Sequence, residues 1–290
     1  MEQKIYYIRH KMSGSEIFNS ELKTRKIIAY HFNDEYHDKI DDYSEDVRKN
    51  RGFIQAYNAF MDITRNGAIV VAEFDDSNVF IIAEIEKGTK TIPAEFIYKG
   101  NKLVYKTMQY SKDKEYKYSN YPVLAAIKPP YSTICSPGKY FCRVIRRIRG
   151  EESGPPTVND LHPKMLEVLC ETYLRSDLAP EDIQIKYCLV KTGKTMPEVD
   201  IIAKSKTGKA IYAQVTHFSG GEAREKAKRL VAFVKDQGIT IMFSKNRDKL
   251  TVDELNYHFC IDDVFEDFVN HADKSYQVMI EEMIKGKIQI

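Results

Sequence analysis

The sequence predicts an α/β protein in two parts. The C-terminal half has elements in the order α-β-β-β-α-β, with helices covering a mixed sheet, and the N-terminal half is β-rich, α+β and similar to a small barrel. Three observations predict this fold class. Helical periods alternate with short apolar runs after residue 160. Short β-branched runs separated by turn residues fill the first half. The stretch RGEESGPPT at residues 149–157, rich in Gly and Pro, separates the halves.

The Gly- and Pro-rich stretch is the predicted domain boundary, because apolar periodicity stops before it and resumes after it. We divide the chain into residues 1–153 and 154–290. A chain of 290 residues is long enough for two separate hydrophobic cores.

The C-terminal elements follow from periodicity. Pro163 suits the first turn of a helix over 162–174, whose apolar residues share one stripe. The clearest helix in the chain, over 222–237, carries a second such stripe. The predicted strands are 183–190, 199–203, 210–215, 239–243 and 257–261, and a closing helix is predicted over 263–270.

The N-terminal elements are mostly short β-rich runs. The β-branched runs 68–74 and 79–85 flank turn residues and predict a β-hairpin. The remaining predicted elements are a helix over 51–64 and strands over 4–8, 26–32, 102–108, 122–127 and 140–148.

Composition excludes several classes of protein. The apolar content of 43% and the charged content of 30% are those of a globular chain, and a net charge of +2 neither supports nor excludes a polyanionic partner. There is no P-loop, no dinucleotide-binding loop and no CxxC pair. No apolar run is long enough to cross a bilayer, and no signal-peptide pattern opens the sequence. Five scattered cysteines, an odd number, indicate free thiols and a cytoplasmic location.

The residues 196–217, MPEVDIIAKSKTGKAIYAQVTH, contain the candidate site. Asp200 begins one apolar run, the turn at 206–209 reverses the chain, and Gln214 lies near the end of the second run. If the two runs pair as strands, Asp200 and Gln214 meet at one edge of the sheet. Two oxygen-bearing side chains in such a place form a minimal cradle for a hard divalent cation.

Residues 160–270 resemble the PD-(D/E)XK nuclease superfamily, and within it the Mrr-like restriction endonuclease group. The resemblance lies in EVDII at 198–202, AQVT at 213–216 and the preceding helix that carries Glu167. It implies a restriction-endonuclease-like core that cuts DNA with Mg²⁺ or Mn²⁺. The implied metal ligands are Asp200, Gln214, the main-chain carbonyl of Val215, and Glu167, which is preferred to Glu171.

One position departs from the family pattern. Thr216 stands where the family has a catalytic lysine, and a threonine carries no charge. We favour Lys226, in the following helix, as the substitute cation; Lys204 and His217 are alternatives. The sequence therefore leaves three functions open. The first is a metal-dependent endonuclease of restriction or anti-phage type. The second is a nuclease fold that no longer cuts and serves as a nucleic-acid-binding or scaffold subunit, and the third is a regulatory module whose N-terminal barrel binds a small ligand or a protein partner.

The N-terminal half offers candidates for binding. Tyr105, Lys106 and Tyr110 belong to a segment in which tyrosines and lysines interleave, a composition suited to base stacking with phosphate contacts. Arg143, Arg146 and Arg147 form a basic cluster before the boundary, suited to a duplex backbone. We expect a target-recognition or sensor domain here. The resemblance further implies DNA as partner, a possible homodimer and a possible defence-system partner protein.

Overall fold

The structure, a computed structural model, describes residues 3–10, 16–31, 36–37, 39–74, 78–98, 100–129, 133–152, 154–191 and 196–287. The chain forms two compact units, Met1–Glu152 and Ser153–Lys285, and Gly286 groups with the first of them. The division lies next to the boundary that the Gly- and Pro-rich stretch predicts.

The described residues of the first unit form eight strands and five α-helices. The strands are β1 (Ile5–His10), β2 (Ile27–Tyr30), β3 (Ala68–Phe74), β4 (Val79–Ile85), β5 (Ile92–Tyr98), β6 (Asn101–Gln109), β7 (Ser111–Lys117) and β8 (Ile134–Cys135). The helices are α1 (Glu16–Thr24), α2 (Glu45–Lys49), α3 (Arg51–Asn66), α4 (Pro122–Ile127) and α5 (Lys139–Arg149).

The prediction of a small barrel was wrong. Among the described residues, the strands form a five-stranded sheet in the order β7-β4-β3-β1-β8 and a separate three-stranded sheet in the order β2-β6-β5. The larger sheet is mixed, because β3 pairs parallel with β1 and antiparallel with β4. Strand β3 is buried along its whole length. Helix α3 shares a core with one face of this sheet, and α4 and α5 share a core with the other face.

Two segments predicted as strands are helices. Helix α4 covers 122–127 and begins with a proline, whose fixed φ suits the first helical turn. Helix α5 covers 140–148; its residues Phe141, Val144 and Ile145 are buried at helical spacing. Gly150, with φ at 74°, ends α5 in the left-handed conformation. The apolar residues of 140–148 recur with the helical period of 3.6 residues. The strand prediction did not take this period into account.

The second unit confirms the predicted mixed α/β architecture. Its strands are β9 (Ile185–Lys191), β10 (Ile201–Ser205), β11 (Ala210–Val215), β12 (Ile239–Ser244) and β13 (Tyr257–Cys260), in the sheet order β13-β12-β11-β10-β9. Strand β10 is antiparallel to both neighbours, and β12 is parallel to both of its own. The helices are α6 (Pro163–Arg175), α7 (Gly220–Val234), α8 (Ile261–Val269) and α9 (Lys274–Lys285).

Helices cover both faces of this sheet. The main core joins α6, α8 and α9 to alternate strand residues such as Ile201 and Ala213. The other face packs on α7 through two smaller clusters. One contains Ala227 and Met242, and the other contains Leu230 and Val199. Successive strand residues point to opposite faces, so each strand divides its side chains between these two cores.

Two expectations concern the whole chain. The five cysteines are free. Among the helices of the described residues, none combines the length and apolar character that a bilayer crossing requires.

A buried histidine joins the two N-terminal sheets. His10 ends β1, and its Nδ1 donates to the main-chain carbonyl of Glu73 on β3 at 3.0 Å. Its Nε2 accepts from the amide of Ala29 on β2, also at 3.0 Å. This pattern requires a neutral ring, since histidinium has no acceptor. Burial lowers the pKa of His10 to about 4, against the weaker opposing effect of the Glu73 hydrogen bond.

We expect this histidine to make the first unit acid-sensitive. Its pKa is lower in the folded chain than the ordinary 6.5, so the unfolded chain takes up the proton first. Its contribution is fully present above about pH 6.5 and is lost as pH falls to about 4, amounting to about 3 kcal/mol. Urea unfolding across this range should show a steeper loss for the wild type than for His10→Gln, which cannot titrate. Parallel pH profiles for the two proteins would contradict the assignment.

Gly67 allows a close approach of two chain segments. It lies between α3 and β3 with φ at 68°, and an added Cβ would stand 2.9 Å from the carbonyl oxygen of Ile85 and 2.9 Å from the amide nitrogen of Lys87. Gly88 has a similar φ of 87° but nothing within 4 Å of an added Cβ.

We expect Gly67→Ala to destabilise the protein more than Gly88→Ala. Both changes incur backbone strain of about 1 kcal/mol or more, and only the first adds a collision with the main chain. The difference in unfolding free energy should exceed about 1 kcal/mol. If thermal or urea unfolding shows equal losses of unfolding free energy for the two variants, the segment around Lys87 moves aside at no cost in free energy.

Candidate metal centre at the edge of the C-terminal sheet

The structure brings Asp200 and Gln214 into direct contact. Ile201 pairs with Ala213, so the residue before β10 lies opposite Gln214 on β11. The Asp200 amide donates to the Ala213 carbonyl at 2.9 Å. The Asp200 Oδ2 accepts from the amide of Val215 at 2.8 Å and from the Gln214 Nε2. The antiparallel register therefore fixes the carboxylate against the end of β11.

Lys226 is the cation whose charge acts on this carboxylate. Burial raises the pKa of Asp200, while the Val215 hydrogen bond and the charge of Lys226 oppose that rise. Lys226 is half-buried on α7, and its Nζ lies 5.4 Å from the centre of the Phe218 ring. The alternative cation, Lys204, is not among the groups that shift the pKa of Asp200.

Helix α6 carries Glu167 and, one turn further along, the buried Cys170. Burial raises the pKa of the Cys170 thiol, and the negative charges of Asp200 and Glu167 raise it further. Cys170 thus lies within electrostatic reach of both carboxylates. Glu171 forms an ion pair with Arg175 at 2.8 Å, and the choice of Glu167 over Glu171 stays a prediction. Sequence reasoning placed Cys170 only on the buried apolar stripe of this helix.

The donors present suit a hard cation that keeps several water ligands. Among the residues that the structure describes, no group of three or more His, Cys, Asp and Glu could hold a metal ion. The oxygens in contact at the end of β11 belong to one carboxylate, one amide and one main-chain carbonyl. The hydrogen bonds from Val215 and Gln214 both go to the Asp200 Oδ2, so Oδ1 is the carboxylate oxygen that we consider for a ligand. The Gln214 amide is buried, and a flip would exchange its nitrogen for its oxygen. This set fits Mg²⁺ with water in the remaining positions.

Thr216 serves the local backbone. It is buried, its amide donates to the Phe243 carbonyl at 3.0 Å, and its Oγ1 accepts from the Phe218 amide at 3.3 Å. The hydroxyl therefore stabilises the turn between β11 and α7. The neighbouring His217 is half-buried at that turn.

The aromatic and basic residues proposed for nucleic-acid binding, two on β6 and Tyr110 directly after it, are in the interior, so that prediction was wrong. Tyr105 and Tyr110 are 4% and 3% exposed, and Lys106 is 0% exposed. Side chains without exposed faces cannot stack on the bases of a nucleic acid. Interleaved tyrosines and lysines gave the right composition for binding, but the pattern did not show which of them face the solvent.

The arginines before the boundary are on helix α5, and two of them pair within their own unit. The Arg146 Nη2 donates to the Gln3 carbonyl at 2.8 Å, and the Arg147 Nε lies 3.6 Å from a Glu152 oxygen. Their side chains are only 13% and 12% exposed. Arg143 is half-buried on the same helix. The expected open basic surface is therefore largely used to hold the helix in place.

Comparisons with known proteins give one weak similarity. No family model matches the chain. No curated protein matches it. Among solved structures, the chain is similar to the MspJI restriction endonuclease in complex with a 27-mer oligonucleotide, with 11% identity and a TM-score of 0.26 over 96% of this chain and 79% of that one. A similarity at that level carries no argument about fold or activity.

We expect Lys226→Met to raise the pKa of Asp200 further, because it removes a positive charge that opposes the effect of burial. A carbon-detected NMR titration of the Asp200 carboxyl measures the shift. The matched control is Lys204→Met, which removes a lysine charge from β10 and should leave the Asp200 titration unchanged. An unchanged pKa in Lys226→Met would place the ammonium too far away to act at this edge.

Proposed function

We propose that the second unit is a metal-dependent endonuclease that hydrolyses DNA phosphodiesters in restriction or anti-phage defence. The observation that supports this most strongly is the cluster at the end of β11. Asp200 and Gln214 touch, and the charge of Lys226 acts on Asp200. A carboxylate, an oxygen-bearing amide and an ammonium are the groups that metal-assisted cleavage of a phosphodiester needs in one place.

Three oxygens would hold the ion: the Asp200 Oδ1, the Gln214 Oε1 after an amide flip, and the carbonyl of Val215. A bound Mg²⁺ or Mn²⁺ neutralises charge on the scissile phosphate and lowers the pKa of a bound water. The Val215 amide fixes the orientation of the Asp200 carboxylate through its bond to Oδ2 at 2.8 Å. Pre-orientation of this kind lowers the cost of arranging the site in the transition state.

Lys226 would stabilise the negative charge that develops on the phosphoryl group. It would do so in the role of the family's catalytic lysine, whose position in this chain is occupied by Thr216. Helix α7, which carries Lys226, covers the face of the sheet to which Gln214 belongs by alternation along β11. Glu167, from α6, would accept a hydrogen bond from the attacking water. Arg224 and Arg229 are exposed on α7 and would contact the phosphates that flank the cut. Two copies would cut the two strands of a duplex.

A second function is favoured by Thr216. Threonine carries no charge at the position where the family has its lysine, and the Thr216 hydroxyl accepts a hydrogen bond from Phe218 in the turn before α7. In that case the second unit binds nucleic acid without cutting it, and the first unit recruits it to a partner protein.

A cleavage assay on supercoiled plasmid with Mg²⁺ or Mn²⁺ tests the proposal. The wild type should nick or linearise the plasmid, and Asp200→Ala should lose cleavage by about 100-fold or more. Lys226→Ala should lose about 10- to 1,000-fold, since it removes charge stabilisation in the transition state. The control is Lys186→Ala, an exposed lysine on β9, which should cut like the wild type.

Two outcomes would contradict the endonuclease. One is intact plasmid with both metals in the wild type; the other is unaltered cleavage in Asp200→Ala. If the inactive protein still shifts duplex DNA in a gel, with affinity that falls steeply with salt, the second function is supported instead.

A further inference from the structure

Phe218 is an exposed aromatic residue close in sequence to the candidate metal centre. It lies in the turn between β11 and α7, three residues after Val215, and 47% of its surface is exposed. Single exposed apolar residues are common on protein surfaces, so exposure alone indicates no function. This residue differs from the others because it directly follows the strand that carries Gln214 and Val215.

Hydrogen bonds hold the backbone on both sides of the Phe218 ring. The Phe218 amide donates to the Thr216 Oγ1 at 3.3 Å, and the Phe218 carbonyl accepts from the amide of Lys245, just after β12, at 3.0 Å. Two residues further along, the Gly220 amide donates to the Asn246 Oδ1 at 2.6 Å. The ring therefore projects from a fixed backbone, so little entropy is lost when it packs on a ligand.

Lys226 links this ring to the candidate metal centre. Its Nζ lies over the Phe218 ring, 5.4 Å from the ring centre. Burial raises the pKa of the Asp200 carboxyl, and the charge of this same ammonium opposes the rise. One lysine therefore acts on both the carboxylate and the ring. A phosphate at Lys226 would bring its own base towards Phe218, because a single sugar joins the base to the phosphate.

The surface after Phe218 has room for a base. Residues 218–221 are exposed. Among the described residues, no atom beyond the chain neighbours and the α7 backbone lies within 4 Å of a Cβ built on Gly220 or on Gly221. The turn thus combines an exposed aromatic ring, a nearby ammonium and open space.

We propose that Phe218 stacks on the base of the nucleotide next to the scissile phosphate, so that the substrate is DNA with an unpaired base at the cut. This inference rests on the proposed function, since it takes the end of β11 as the place where a phosphodiester lies. A paired base inside a duplex is stacked on its neighbours and offers no face to the ring. Stacking on an aromatic ring tolerates every base, so this contact supplies affinity without sequence preference.

Unpaired bases have two sources that share this chemistry. One is single-stranded DNA, and the other is a duplex out of which one nucleotide rotates. Fluorescence anisotropy measures the affinity of the whole protein, without divalent metal, for a labelled strand of about 12 nucleotides and for the matching duplex. Where the base contact described next is found, tighter binding of the strand identifies single-stranded DNA, and equal or tighter binding of the duplex identifies a rotated base.

Removing the ring and removing the base should have one shared effect. Phe218→Ala should weaken binding about 5- to 150-fold, the range for loss of one stack between a base and an aromatic ring. In DNA with one abasic site, the wild type should lose a similar factor at one position of that site. Phe218→Ala should lose nothing further at that position, because the partner of the base is already absent.

Matched variants separate stacking from other effects. Phe233→Ala removes another exposed ring, 43% exposed near the C-terminal end of α7, and should bind like the wild type. Phe218→Tyr keeps the aromatic face and should also bind like the wild type. If Phe218→Ala fails to fold, Phe218→Leu, which keeps an apolar side chain but no flat ring, should show the same loss of affinity and the same insensitivity to the abasic site.

The inference is overturned if Phe218→Ala binds like the wild type. It is also overturned if the variant weakens binding to intact DNA and to every abasic DNA by the same factor, since the ring would then act by holding Lys226 and not by touching a base. None of these measurements needs cleavage. A protein that cuts plasmid but shows no shared effect contradicts this inference alone, and one that shows the shared effect but leaves plasmid intact contradicts the nuclease alone.

Discussion

The antiparallel register between β10 and β11 is the constraint on which the C-terminal site depends. With Ile201 opposite Ala213, Asp200 can reach both the side chain of Gln214 and the amide of Val215. A shift by one residue would turn every side chain of one strand to the other face. Ile201 and Ala203 would then leave the main core, so the burial of these apolar residues holds the polar contact in register.

The layered architecture sets the two helices that carry the remaining candidate groups on opposite faces of the sheet. Helix α6 packs in the main core and carries Glu167 and Cys170, while α7 covers the opposite face and carries Lys226. Each helix is held by its own apolar stripe, so its polar residues are placed by packing that does not involve them. This explains how a lysine on α7 can act on Asp200 although it is distant from it in sequence.

The sequence was sufficient to predict the C-terminal sheet because its signals are local. A turn between two apolar runs predicts a pair of antiparallel strands. The pairing of those strands in turn predicts that Asp200 and Gln214 lie opposite each other. The same reasoning could not place Lys106, because alternation along a strand shows which residues share a face but not which face is covered. It also failed at α5, where apolar residues at helical spacing are interspersed with arginines and lie in a segment surrounded by strands. The three-stranded sheet depends on contacts distant in sequence, such as β2 with β6, that no local pattern reveals.

The identity of the residue at 214 has a consequence for any cation held there. An amide contributes an oxygen but no charge, so within the pair in contact at the end of β11 the formal negative charge belongs to Asp200. A single carboxylate attracts a divalent ion less strongly than a pair does, and the nearby ammonium of Lys226 reduces the attraction further. In the proposed enzyme the ion would exchange readily with the solvent and would be held firmly only once a phosphate supplied the missing charge. Substrate and metal would then assemble the competent centre together.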